Sequence, residues 1–142
     1  MSLVDYSDLE KEISDAPAPK MLPRGSEVRA RIISVREGDS ENNNGCHWFM
    51  PYFDVPDDPM VIEFNTFFWD LADKVAEKVS EKQAARNLHS FREFAEAFDI
   101  DYSRPFSWMD DLPGKEGWVI LGVGKDMNGE ACNTVSKFVT RK

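Results

Sequence analysis

Two kinds of side chain that together can hold a polymer of bases and phosphates gather in one part of this sequence. Trp48, Phe49, Tyr52 and Phe53 crowd into His47-Trp48-Phe49-Met50-Pro51-Tyr52-Phe53-Asp54-Val55, and Arg29, Arg31 and Arg36 lie in the run before it. Exposed aromatic faces stack on bases at about 1–3 kcal/mol per base, and neighbouring cations contact phosphates, which gives sequence-tolerant single-strand binding. If Phe49, Phe53 and Val55 point into a core, the two-residue period of a strand places Trp48 and Tyr52 on the opposite face, beside Arg29 and Arg31 of the adjoining strand. Trp118, alternating with Val119 and Leu121, is the second-rank stacking residue, and Lys125 and Lys137 are further phosphate contacts. A plainer assignment stands beside this one. Ten Phe and four Trp in 142 residues must largely fill a core, and arginines on a strand face usually need no ligand.

Other chemistry has little footing. Cys46 and His47 are adjacent while His89 and Cys132 are far off, so no zinc-ligand spacing occurs and no metal is expected. Asp57-Asp58 and Asp110-Asp111 fall in turns, where Asp is favoured for its local hydrogen bonds. Gly122-x-Gly124 sits inside a strand rather than opening a helix, and no nucleophile motif is present. The expectation is a protein that is not an enzyme, with no catalytic residue and no cofactor.

The charge argues in the opposite sense from the arginines. The formal net charge is -9, which disfavours a polyanion partner, but it is unevenly spread. Residues 1–20 carry five acids against two bases and residues 50–113 fourteen against six, whereas 26–38 and 114–142 each carry a small excess of bases. A basic set of strands is thus separated from an acidic middle. Two cysteines and the lack of a long apolar run or a secretory leader lead to the expectation of a soluble, reduced, intracellular protein.

Several elements must position these residues. Residues 1–20, with Pro17 and Pro19 near their end, read as a flexible acidic arm, although Tyr6, Leu9 and Ile13 have the spacing of a short docking helix. Residues 21–142 read as one domain. Glu27 to Arg36 alternates as a first strand, and the alternation slips after Ile32, implying either a bulge or a stretch buried on both faces. The aromatic run is the second strand, with Pro51 marking an edge or a bulge, and Met60 to Trp69 is the third. From Asp70 the period becomes 3.6: Leu71, Val75 and Val79, then Leu88, Phe91, Phe94, Ala95 and Phe98, predict two helices or one kinked helix. Asn128-Gly129 between two β-rich runs closes the chain with a hairpin, because both residues tolerate positive φ.

The predicted order is β-β-β-α-β-β, mainly β with a helical insert between the third and fourth strands. That is the layout of the five-stranded OB-fold barrel, which binds oligonucleotides or oligosaccharides. The motifs Leu22-Pro23-x-Gly25, Gly45, Phe94-Ala95-Glu96-Ala97-Phe98-Asp99-Ile100 and Gly114-Lys115-Glu116 resemble the single-stranded-DNA-binding proteins of tailed bacteriophages. One group of these OB-fold proteins was long known only as a domain of unknown function. The resemblance covers roughly residues 21–140. It implies a phage replication or recombination protein that coats single-stranded DNA in the bacterial host cytoplasm, self-associates along the strand, and works with phage or host replication and recombination proteins rather than with a membrane. Thr140-Arg141-Lys142 stand where many single-strand binders carry an acidic recruiting tail, leaving the acidic N-terminal arm as a substitute. A different class competes: an acidic protein-interaction module, or a DNA-mimicking phage inhibitor of a host protein. An oligosaccharide-binding barrel is a third reading that gains little from the arginines.

Overall fold

A computed structural model of the chain describes residues 2–140. Arg141 and Lys142, part of the C-terminal segment considered above, lie outside the described residues. The sheet is antiparallel and six-stranded, with β1 (Glu27–Asp39), β2 (His47–Asp54), β3 (Phe64–Asn65), β4 (Phe68–Trp69), β5 (Glu116–Lys125) and β6 (Ala131–Phe138). Its order is β3-β2-β1-β5-β6, with β4 also paired to β2. The ladder is open rather than a closed barrel. Between its ends runs the segment 20–22: Lys20 donates its N–H to the Met60 carbonyl, and Leu22 is held on both backbone groups by the Asn133 side chain of β6.

The long first strand serves two partners in turn. Its start pairs with β5, from Glu27 opposite Ile120 to Arg31 opposite Glu116, and from Arg31 onward it pairs with β2. The slip in alternation after Ile32 is a bulge, because Ile32 faces Phe53 while Ser34 already faces Tyr52. The extra residue, Ile33, exchanges the faces of everything after it. Arg36 therefore shares the outer face with Arg29 and Arg31, although it lies at the other parity in sequence.

The third strand differs from the expectation of one run from Met60 to Trp69. Two short pieces flank Thr66 and Phe67, and together they cover β2 on either side of Met50 and Pro51. The physical cause is Pro51, which has no N–H to donate to a neighbouring strand. Its carbonyl still accepts from the N–H of Thr66 at 3.2 Å.

The helical insert also starts later than its apolar period implied. Asp70 to Lys74 are turns ending in Lys74 at φ 54°, followed by the single turn α2 (Val75–Lys78) and then α3 (Glu81–Phe98). The side chain of Ser80 caps α3 by accepting from the Gln83 N–H, and Asp99 at φ 55° ends it. Phe91, Phe94, Ala95 and Phe98 bury against the inner face of the sheet, where they meet Phe53, Phe64, Phe68 and Phe138. Leu88, read as part of that stripe, is instead 58% exposed. Trp108, in the short α4 (Trp108–Asp111), stacks on Phe49 with ring centroids 4.6 Å apart and planes 6° apart.

The closing hairpin forms where Asn-Gly predicts it, with Lys125 opposite Ala131. Only Gly129 takes positive φ, at 78°, and the Asp126 carboxylate accepts from the N–H groups of Asn128 and Glu130. In the N-terminal arm, a 3-10 turn (Ser7–Leu9) runs into α1 (Glu10–Ser14), and no described residue of the arm is buried.

Candidate functional site

The inner face of the sheet is filled by phenylalanines, so the aromatic rings on its outer face are surplus to the core. Along β2, Phe53 and Pro51 are buried and Phe49 packs on the core, while Trp48, Met50 and Tyr52 occupy the opposite parity and are half-exposed. Opposite Trp48 lies Trp69 of β4, and Phe67, just before β4, projects outward with 42% of its surface exposed. Phe67 belongs to the gap between β3 and β4, and its ring centroid lies 5.8 Å from that of Trp48 and 4.8 Å from that of Trp69, edge-on to the latter. Tyr52 extends the row, and the guanidinium of Arg36 sits 4.8 Å from the centre of its ring. The result is a platform of Trp48, Tyr52, Phe67 and Trp69 with one cation held against it.

The backbone under the platform is specialised. Trp48 faces Gly38 across β1 and β2, and its indole covers that glycine closely enough that a Cβ there would sit 2.6 Å from the ring. Trp69 is anchored from behind. Its N–H donates to the Asn87 side-chain oxygen at 2.9 Å, and its carbonyl accepts from the Asn87 amide at 2.8 Å, so buried Asn87 of α3 takes the backbone groups that β2 does not use.

The other cations expected at the site fall into three situations. Arg29 lies opposite Trp118, as its face requires, but its guanidinium is shared between Asp57 and Glu116. Arg31 makes a two-point contact with Asp54 at 3.1 and 2.6 Å, and that carboxylate raises its pKa further. Lys137 is exposed beside Ile120 on the outer face, and Lys125 lies at the hairpin end of β5. Trp118 is 36% exposed, on the β5 side of the sheet, with β1 between it and the Trp48 row. Of the three arginines, Arg36 alone has no carboxylate partner among the described residues.

The structure thus brings together Arg36, Trp48 and Tyr52, and adds Phe67 and Trp69, which are not among the residues expected from sequence. The signal was present in Phe67-Phe68-Trp69. Three successive aromatics in a strand of period two cannot all face inward, and Phe68 is the buried one. A scan against models of protein families and a search of curated proteins both find no match to this chain.

Behind the hairpin of β1 and β2, on the other face, the His47 ring bridges Asp39 through Nδ1 at 2.7 Å and Glu37 through Nε2 at 2.8 Å. The hydrogen bond with Asp39, aided by that with Glu37, raises the His47 pKa above its ordinary value. The Asp73 carboxylate is held low by Lys78, 2.6 Å away, and by the His47 N–H, which ties the turn before α2 to the start of β2. Buried Cys46 has its thiol pKa pushed up by burial, which suits a structural side chain rather than a nucleophile. Among the described residues no three His, Cys, Asp or Glu side chains converge in a metal-binding group, and no helix is long and apolar enough to cross a membrane.

Proposed function

We propose that this protein binds single-stranded DNA without strong sequence preference, stacking bases on Trp48, Tyr52, Phe67 and Trp69 while Arg36 meets the phosphate chain. The observation that carries the reading is the outward aromatic row, which remains in solvent although the core is already filled with rings. Sequence-tolerant binding needs such π-faces more than it needs a hydrogen-bonding pattern. Four platform rings accommodate a few nucleotides, with Trp118, Lys137 and Lys125 extending the path along the sheet. The pairing of one long β1 with both β5 and β2, and the placing of α3 between β4 and β5 in the chain, support an OB-type arrangement of this sheet. A role in phage DNA replication or recombination, in the host cytoplasm and without catalysis, follows from the resemblance carried by the sequence motifs.

Titration with oligo-dT, read by quenching of tryptophan fluorescence, tests the proposal. One to three neutralised phosphates give a slope of log affinity against log salt between about -0.7 and -2, from about -0.7 per phosphate. No quenching at low salt overturns the reading. A double-stranded competitor and an oligo-U series then order the preferences for single strands and for DNA.

A specific observation favours a second reading, an acidic protein-interaction module. Arg29 and Arg31 are neutralised by Asp57, Glu116 and Asp54, so much of the outer face has no free positive charge, in a chain of net charge -9. On this reading, oligo-dT leaves the fluorescence unchanged and the aromatic row contacts a protein instead.

A further inference from the structure

Two apolar surfaces in this chain lack partners, and they match. One is a groove along the flank of α3, a cavity of about 980 Å³ between α3, the turn at Asp70 to Ala72, and the loop from Tyr102 to Trp108, with Phe49 of β2 also in its lining. Leu71, Leu88 and Tyr102, all large, are 41%, 58% and 56% exposed there, with Trp108 and Phe91 at the floor. Burying such a contiguous patch is favourable, and patches of this kind on a monomer mark interaction sites.

The other surface is the N-terminal arm. Leu9 and Ile13 lie four apart in the helical run from Ser7 to Ser14, with Tyr6 at its N-cap, and Tyr6, Leu9 and Ile13 are 59%, 45% and 56% exposed; Leu3 and Val4 ahead of it are 88% and 70% exposed. A helical run this short is marginal in water unless an apolar face is docked. Among the described residues the arm is exposed along its whole length and has no such docked face. Pro17 and Pro19 favour an extended connection to Lys20, where the backbone is pinned beside Val61.

Charge agrees with the match. Five acids against two bases in residues 1–20 leave the arm negative, and the groove presents Arg92 and Arg104 against Asp70. Both guanidinium groups have exposed partners on the same surface: Glu96 at 3.9 Å from Arg92 and Asp101 at 3.3 Å from Arg104. Exposed pairs of that kind contribute little, so carboxylates of an incoming arm can replace them at small cost.

We propose that the groove receives the arm of a second copy of this chain, with Leu9 and Ile13 inserted beside Leu88 and Tyr102. Each chain offers one arm and one groove. The contact is therefore either exchanged reciprocally in a dimer or passed head to tail into a ring or row of protomers. It lies away from the aromatic platform and does not depend on any ligand there.

Sedimentation equilibrium of the full chain without nucleic acid tests the proposal, together with an arm variant, Leu9→Asp with Ile13→Asp, and two groove variants, Leu88→Asp and Tyr102→Ala. All four positions are exposed, so melting temperatures should stay near that of the wild type. The expected result is concentration-dependent association of the wild type, lost at least tenfold in affinity in the arm variant and in Leu88→Asp, and weakened in Tyr102→Ala. Mixing the arm variant with Leu88→Asp should restore a heterodimer, since one retains a groove and the other an arm. A wild type that stays monomeric to millimolar concentration overturns the proposal. So does undiminished association in the arm variant, or failure of the mixture to pair when the wild type does.

Discussion

The indole of Trp48 lies over the backbone of Gly38, its cross-strand partner, so closely that a methyl group on Gly38 would stand 2.6 Å from the ring. The side chain proposed to meet the first base thus owes its position to a missing side chain on the neighbouring strand. Gly38→Ala should tilt Trp48 away and weaken oligo-dT binding several-fold, with little change in melting temperature because the ring yields toward solvent. Fluorescence titration alongside thermal melting separates the two effects.

Trp48, Phe67 and Trp69 touch one another at the surface and contribute little to the core. Single alanine substitutions at Trp48 and Phe67 should each cost about 1–3 kcal/mol of binding, roughly 5- to 150-fold in affinity, from the known worth of one stacked base. Folding stability should barely move. A large fall in the urea midpoint of Trp48→Ala would return that residue to the core and remove it from the platform.

Asn87 should matter to both properties. Asn87→Ala orphans the N–H and the carbonyl of Trp69, at about 1–3 kcal/mol for each group left without a partner. Urea unfolding should show the loss. Hydrogen exchange should show it first at β4, where Trp69 would lose its tie to α3.

Gly117 permits the end of α3 to rest on β5. A Cβ there would be 2.5 Å from the Ala97 carbonyl oxygen and 2.9 Å from the Phe98 ring. Since backbone must shift to make room, Gly117→Ala should destabilise by about 1–3 kcal/mol or more. The urea midpoint checks this, and oligo-dT affinity at temperatures well below melting should be nearly unaffected.

The His47 bridge predicts a pH dependence of definite sign. Because Asp39 and Glu37 raise its pKa in the folded state above the ordinary 6.5, its contribution to stability is fully present below that value and fades as pH rises through the raised one. Asp73, held low by Lys78 and the His47 N–H, behaves in reverse: its contribution is present above the usual carboxylate range and lost as pH falls through its lowered value. Urea unfolding of wild type and His47→Gln from pH 6 to pH 9 should show the gap between them narrowing with rising pH. A constant gap would remove the charged bridge from the account.

Much of the frame was legible in the chain itself, because alternation and helical period are local properties. The two faces of β2, the slip at Ile33, the stripe from Phe91 to Phe98 and the hairpin at Asn128-Gly129 all follow from residue order. Tertiary structure decided the rest. The division of the third strand depends on a proline in the neighbouring strand, and the exposure of Leu88 depends on where the turn before α2 and the loop at Tyr102 pass. Above all, the ranking of the cations is a matter of register: Arg29 meets Glu116 from 87 residues away and Arg31 meets Asp54 from 23, while the bulge turns Arg36 toward Tyr52, with no carboxylate partner among the described residues. Residue types alone name three equal arginines. Charge pairing is set by distances between strands, and those exist only once the sheet has formed.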